Sequence, residues 1–218
     1  MRLNRYIAMY SHLSRRKADD LIEQGKVVVN RHKAHLGSTV QDGDVVVVDG
    51  VKLEPIQQKN RTVLLHKPVG YVCSRDGQGS PSVYTLLPGG MKSFNIAGRL
   101  DKDSSGLIVL TNDGQFIQTL THPSYNKEKV YIITLEATLS DSDIETLRTG
   151  VDIGDDTPSS MDIKRLPHKK YQVTLTEGRN RQIRRSLKAV GHNVVTLHRI
   201  KLGPYKLSGI NEEQFIEL

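Results

Sequence analysis

A polar segment without hydrophobic periodicity interrupts the chain at residues 54–61, Glu-Pro-Ile-Gln-Gln-Lys-Asn-Arg. Proline among consecutive polar side chains is typical of a linker between folded regions. The segment divides the chain into a small N-terminal region, residues 1–53, and a larger region, residues 62–218. We therefore expect two domains, each with its own core.

Composition limits the classes of protein that the chain can belong to. Of the 218 residues, 37% are hydrophobic and 25% are charged, which is enough apolar material for a folded core. The longest apolar stretch has only a handful of residues, and residues 1–5 lack the features of a secretion signal. A single cysteine, Cys73, fits a reducing compartment. We expect a cytoplasmic monomer without a membrane segment.

The N-terminal region has the pattern of a small α/β domain. Apolar residues recur at helical spacing over residues 3–10. A second helix is expected to begin after Ser14, a favoured N-cap residue, and to end at Gly25. Valine-rich strands are expected at residues 27–29 and 45–48.

Positive charge is concentrated at two places in a chain whose net charge is +7. The first cluster includes Arg15, Arg16 and Lys17, which fall in the first turn of the second helix, where the helix dipole disfavours cations. The second cluster spans residues 160–206. Two separated basic clusters favour a polyanionic partner that is bound at two places, although solvated helix faces have the same appearance.

The larger region contains more strand patterns than helix patterns, and the two do not alternate strictly. This favours the α+β class, with a mixed, mainly antiparallel sheet and flanking helices. Strands are expected at residues 62–65, 71–73, 107–111, 130–135, 171–175 and 194–197, and helices at 115–120, 140–150 and 181–190.

Residues 98–114 form the most informative segment, a loop rich in Asp, Ser and Gly that leads into an apolar strand. A calcium loop would use Asp101, Asp103 and Ser105, but its twelfth position is Asn112 where a bidentate glutamate is needed. The histidines show no metal-ligand spacing, and no metal site is expected. An ordinary turn and a catalytic carboxylate remain as the two interpretations.

Residues 1–50 resemble the RNA-binding alpha-L domain, which implies two short helices that present basic side chains to structured RNA. Arg31 departs from that pattern, in which glycine follows the asparagine. The resemblance is carried by Arg2-Leu3, residues 14–18, residues 21–27, Val29-Asn30 and residues 43–45.

The larger region is similar to the RsuA-type bacterial ribosomal RNA pseudouridine synthases, and the alpha-L domain in front completes that family's arrangement. Four segments carry the resemblance in the family's order: residues 67–70 (Lys-Pro-Val-Gly), residues 98–114, residues 127–131 (Lys-Glu-Lys-Val-Tyr) and residues 177–185 (Glu-Gly-Arg-Asn-Arg-Gln-Ile-Arg-Arg).

The resemblance implies an isomerase that converts a specific uridine of ribosomal RNA to pseudouridine and needs no cofactor. Asp101 would be the catalytic carboxylate, acting either as a nucleophile on C1′ or as the base that forms a glycal. By the same resemblance, Arg184 would pair with Asp101, Tyr131 would stack on the uracil, and Ile183 would pack against the base.

Further residues are expected to bind the RNA rather than to take part in the chemistry. These substrate-binding candidates are Arg99, Arg179, Arg181, Arg185, Arg15, Arg16 and Lys17. Asp103 and Asp113 are expected to be turn residues. The expected partner is ribosomal RNA or a ribosomal subunit assembly intermediate. The alternative is a non-catalytic RNA-binding protein that docks on ribosomal particles through the alpha-L domain.

Overall fold

The computed structural model describes residues 1–11, 13–54 and 59–218. These residues form two compact units, Met1–Lys59 and Asn60–Leu218. Half of the predicted linker, residues 55–58, lies outside the described residues. No helix in the described part of the chain is long and apolar enough to cross a membrane.

The first unit packs two helices against a small antiparallel sheet with strand order β2-β1-β3-β4. Its elements are α1 (Leu3–Tyr10), α2 (Arg15–Glu23), β1 (Val27–Val29), β2 (His32–Lys33), β3 (Val46–Val48) and β4 (Val51–Lys52). Its core consists of Leu3, Ile7, Ala18, Leu21, Ile22, Val27, Ala34, Val40, Val46 and Val48.

Local sequence signals in this unit act as expected. The Ser14 hydroxyl caps α2 by accepting a hydrogen bond from the Lys17 amide at 3.1 Å. Gly25 has a φ of +69°, a conformation that glycine adopts without strain. The turn between β1 and β2 places Asn30 at φ +49° and Arg31 at φ +70°. Arg31 therefore occupies a left-handed position that suits glycine better.

The second unit is built on a nine-stranded sheet with helices packed around it. Its strands are β5 (Thr62–Lys67), β6 (Asn95–Ala97), β7 (Ser105–Thr111), β8 (Lys129–Leu135), β9 (Asp162–Leu166), β10 (Lys170–Leu175), β11 (Val194–Leu202), β12 (Tyr205–Lys206) and β13 (Phe215–Glu217). Its α-helices are α3 (Gly114–Thr121), α4 (Asp141–Thr149) and α5 (Gln182–Ala189). Short 3₁₀ turns occur at Gly77–Gly79, Val83–Leu86, Gly89–Met91 and Pro123–Tyr125.

The sheet runs in the order β13-β5-β7-β11-β8-β10-β9, with β6 added to β7 and β12 added to β11. Its described strand pairs are antiparallel except for β7 with β11, which is parallel. Side chains of β7 alternate between two cores: Ile108 and Leu110 enter the larger one, and Leu107 and Val109 the smaller one. Because both faces of β7 are covered, its position is fixed by packing on each side.

The expected α+β class with a mixed, mainly antiparallel sheet is confirmed. The predicted strand at residues 71–73 is wrong, because this stretch is irregular and forms only an isolated bridge between Val72 and Ser82. Tyr71 and Cys73 are nevertheless partly buried against the larger core. Packing of an irregular segment gives the same hydrophobic signal as a short strand.

Gly106 is required where β7 meets β11. Its φ is +109°, and a Cβ atom there would lie 2.3 Å from the Arg199 carbonyl oxygen and 2.5 Å from the Arg199 nitrogen. Both neighbouring atoms belong to the backbone of a central strand, so they cannot move aside independently of the sheet. Gly106 is thus the point at which the loop before β7 is fixed to β11.

Replacing Gly106 by Ala should destabilise the protein by about 3 kcal/mol or more, because the new methyl group overlaps the backbone of β11 and demands a strained φ. Gly114→Ala is the control: a Cβ atom there would have nothing within 4 Å, and alanine favours the first turn of α3. Urea unfolding of both variants measures the difference. Equal losses would contradict the steric argument.

Candidate active site

The residues that carry the predicted carboxylate form a turn, residues 98–104, between β6 and β7. One end of the turn is held by Arg199 of β11, whose side chain is almost fully buried. Its Nη2 donates to the Gly98 carbonyl at 2.6 Å, its Nη1 to the Arg99 carbonyl at 3.4 Å, and its Nε to the Leu107 carbonyl at 2.8 Å. A single planar guanidinium thereby joins three backbone positions around the turn.

The other end of the turn is held by Lys67, which is fully buried at the end of β5. Its Nζ donates to the Ser104 carbonyl at 2.5 Å and to the Pro68 carbonyl at 2.9 Å. Burial lowers the pKa of Lys67, an effect that nearby Asp103 and Asp101 oppose. The Gly70 amide also donates to the Lys102 carbonyl at 2.8 Å. The turn is therefore fixed through its backbone at both ends.

Two acidic side chains on this turn face two arginines: Arg181, the N-cap residue of α5, and Arg184, which lies within α5. Arg181 donates to both oxygens of Asp103 at 3.2 and 2.9 Å, and its Nη1 lies 3.6 Å from an oxygen of Asp101. The Nε of Arg184 lies 3.3 Å from an oxygen of Asp103. Asp101 and Asp103 remain 39% and 46% exposed, so the cluster is open to an incoming ligand.

Arg184 does not pair with Asp101 in this structure, contrary to the arrangement expected from the resemblance. Its Nη2 donates to the Asp103 carbonyl at 2.8 Å and its Nη1 to the Val194 carbonyl at 3.1 Å. These bonds direct the guanidinium to the Asp103 side of the turn. The nearest described cation to Asp101 is instead Arg181, and the buried Nε of Arg184 has no hydrogen-bond partner among the described residues.

Arg181 begins α5 as its N-cap residue in a left-handed conformation, with φ at +47°. A non-glycine residue in this region of the backbone stores strain, and such strain is common at functional sites. The hydrogen bonds that it donates to Asp103 raise the pKa of Arg181. Burial alone would raise the pKa of Asp103, but the hydrogen bond from Arg181 and the charges of both arginines hold it below its ordinary value.

Two other arginines of the same motif point to a different loop. Arg185 donates to both oxygens of Asp155 at 2.6 and 3.4 Å. Arg179 pairs with Glu177 at 3.0 Å and with Asp155 at 3.7 Å. The hydrogen bond from Arg185 is the main reason why the pKa of Asp155 is lowered. Arg179 and Arg185 thus tie residues 152–159 to α5, and their predicted contact with phosphate stays a prediction.

The remaining candidates of this unit lie around the same turn or in the core beside it. Tyr131 is on β8, its Cα paired with that of Arg199, and its side chain is buried in the larger core together with Ile183. Arg99 is exposed on the turn, and its side chain makes no ion pair among the described residues. A shallow pocket beside the turn is lined by Val69, Gly70, Lys102, Asp103 and Arg181.

In the first unit, Arg15, Arg16 and Lys17 are exposed on the first turn of α2, which contains no acidic residue. Lys17 is 4.0 Å from Asp20, whereas Arg15 and Arg16 have no ion pair within the described part of the chain. These cations are therefore available to a ligand. No cluster of metal-ligating side chains occurs among the described residues.

Arg199 was not predicted as a site residue from the sequence, because it looked like one more cation in a basic stretch. Its alternation with Leu197 on an apolar strand is the signal that could have shown its burial.

Asp113, expected in a turn, is the N-cap of α3 and accepts hydrogen bonds from the amides of Gln115 and Phe116.

Comparison with family models gives two matches. Residues 61–189 match the RNA pseudouridylate synthase family, and residues 1–46 match the S4 domain. The first match covers the turn with Asp101 and extends to the end of α5. The second covers the two helices with the exposed cations.

Individual proteins are similar over almost the whole chain. The dual-specificity RNA pseudouridine synthase RluF of Escherichia coli K12 is 36% identical over 96% of this chain and 72% of its own length. Ribosomal large subunit pseudouridine synthase B of Bacillus subtilis is 35% identical over 100% of this chain and 91% of its own. A crystal structure of a pseudouridylate synthase superposes with a TM-score of 0.74 at 30% identity, covering 100% and 96% of the two chains.

Arg199→Lys should destabilise the protein by about 2 kcal/mol or more, because a lysine cannot reach the three carbonyl groups and leaves buried acceptors unpaired. Arg165→Lys is the control, since Arg165 is half-exposed and pairs with Asp141 at the surface. Chemical unfolding should separate the two variants, and amide exchange in residues 98–104 should accelerate only in the first. Equal stability of both variants would contradict the structural importance of Arg199.

Proposed function

The chain belongs to the RNA pseudouridylate synthase family, and on that basis we propose that it isomerises a specific uridine of ribosomal RNA, with Asp101 as the catalytic carboxylate. As a pseudouridine synthase it is an isomerase. The observation that carries the proposal for Asp101 is the combination of a half-exposed carboxylate with a backbone turn fixed by Arg199 and Lys67.

The reaction needs one ionised carboxylate and no change of oxidation state. The N-glycosidic bond of uridine breaks, the uracil rotates, a bond forms between its C5 and C1′, and the C5 proton leaves. Asp101 would either attack C1′ or remove the 2′ hydrogen to give a glycal. Arg181, whose Nη1 lies 3.6 Å from a carboxylate oxygen of Asp101, would bring positive charge to the carboxylate in either route.

Other groups around the turn have chemistry that suits a uridine taken out of its stack. The aromatic ring of Tyr131 would stack on the uracil, and its hydroxyl would assist removal of the C5 proton. Ile183 would give an apolar contact with the base. Arg184 would support the same turn, because its Nη2 donates to the Asp103 carbonyl at 2.8 Å.

Two sets of exposed cations would hold the RNA. Arg15, Arg16 and Lys17 on α2 fit the phosphate backbone of a structured RNA, and Arg99 lies beside the proposed catalytic carboxylate. We propose that the substrate is ribosomal RNA, free or within an assembly intermediate, that the protein acts as a monomer, and that it works in the cytoplasm. Mapping of pseudouridines in ribosomal RNA from a deletion strain would identify the uridine and the subunit.

Asp101→Asn should abolish turnover, because it removes the ionised oxygen while keeping the shape of the side chain. RNA affinity should change little. Tritium release from ribosomal RNA labelled at C5 of uridine measures turnover, and it also separates an enzyme from a non-catalytic RNA-binding protein. Asp113→Asn is the control, because asparagine is an equally good N-cap for α3. Activity of the Asp101 variant within about tenfold of wild type would assign the chemistry elsewhere.

Replacing Arg15, Arg16 and Lys17 together by Gln should reduce the steepness of the slope of log affinity against log salt concentration by about three units at most. A control variant loses the same charge elsewhere in the first unit, through Gln at Lys26 just before β1, Lys33 of β2 and Lys52 of β4. Filter binding over a range of salt concentrations gives both slopes. Equal changes in the two variants would show that net charge matters and that α2 is not the RNA-binding surface.

A further inference from the structure

Asp103 binds two arginines, Arg181 and Arg184, and one of them, Arg181, also lies near the proposed catalytic carboxylate. Arg181 makes a two-point contact with its side chain, at 3.2 and 2.9 Å. Arg184 reaches the same residue twice, through Nε at 3.3 Å from the carboxylate and through Nη2, which donates to the backbone carbonyl at 2.8 Å. A residue that only formed the turn would not need contacts with two arginines.

Asp101 competes for the same guanidinium and has the longer contact. Arg181 Nη1 is 3.6 Å from Asp101 Oδ2, beyond hydrogen-bond distance, while Asp103 occupies both arms of the planar fork. The oxygens of Asp101 are thus left without a charged donor at hydrogen-bond distance among the described residues. A carboxylate that must attack C1′ or remove a proton reacts more readily when its lone pairs are not occupied by a two-point guanidinium contact.

The charge balance of the turn depends on Asp103 as well. Four cations from other parts of the unit, Lys67, Arg181, Arg184 and Arg199, contact the turn, against the two carboxylates of Asp101 and Asp103. Without Asp103, the arginines would face Asp101 as their single nearby carboxylate on this turn. Arg181 has the freedom to move onto Asp101, because its side chain is 44% exposed and is not enclosed by the core.

We propose that Asp103 is a positioning residue, which binds Arg181 and Arg184 and thereby prevents Arg181 from making a two-point contact with Asp101. The proposal rests on the proposed function of Asp101. It assigns the two carboxylates of the turn to different tasks: Asp101 reacts with the substrate, and Asp103 restrains the cations.

Asp103→Asn tests this assignment, because asparagine preserves the turn but is a weak partner for arginine. We expect the single-turnover rate of tritium release at saturating RNA to fall by about tenfold or more, since Arg181 closes on Asp101. RNA affinity should stay within about twofold of wild type. Asp103→Ser, which also suits a turn, is measured in parallel so that the result does not depend on one variant.

Asp155→Asn is the matched control. Asp155 also receives two arginines, Arg179 and Arg185, but it lies on a different loop from Asp101. Its loss should leave the rate at saturating RNA within about threefold of wild type. The proposal would be overturned if the Asp103 and Asp155 variants lost rate equally and if each loss matched a fall in melting temperature. The contribution of Asp103 would then be purely structural.

A double variant gives a result that a structural contribution does not predict. If Asp103 acts by restraining Arg181, then Arg181→Gln in the Asp103→Asn background should restore part of the rate, by about threefold or more. An unchanged or lower rate would contradict the proposal. Absence of tritium release in the wild type would contradict the proposed function itself, whereas an active wild type with an equally active Asp103→Asn variant would contradict this assignment alone.

Discussion

The buried guanidinium of Arg199 is the interaction on which the geometry of the site depends. It joins the Gly98 and Arg99 carbonyls to the Leu107 carbonyl, so that the turn and the strand after it move as one piece with β11. A buried cation is costly unless its donors are satisfied, and here backbone carbonyl groups satisfy them without a carboxylate. Loss of any one of these contacts would leave unpaired polar groups in the core.

At the other end of the turn, Lys67 is also a buried cation that donates to backbone carbonyl groups. Two buried cations that bind carbonyl oxygens have a second effect, because their charge is not cancelled by a buried anion. Both Asp101 and Asp103 interact with the charge of Lys67. The Lys67 ammonium group that fixes the backbone of the turn therefore also places positive charge near its two carboxylates, so that rigidity and electrostatics have the same origin.

The sequence predicted the elements that have a regular hydrophobic period and a clear cap, such as α2 after Ser14 and α4 after Ser140. In the second unit it missed β6, β9, β12 and β13, because these strands are short or, like β9, have few buried residues and therefore show little hydrophobic alternation. The candidate residues of the turn were found through the resemblance alone. The partners of the arginines were not predictable, since periodicity contains no information on which carboxylate a flexible cation reaches.

The basic cluster at residues 160–206 shows why charge counted along a sequence differs from charge on a surface. Most of its cations are occupied within the protein: Arg199 binds carbonyl groups, Lys201 pairs with Glu128, and the arginines of residues 179–185 pair with acidic residues. The first turn of α2 is different, because Arg15 and Arg16 are exposed without an ion pair in the described residues. The smaller cluster thus offers more available positive charge than its size suggests, whereas most cations of the larger cluster are already paired within the protein.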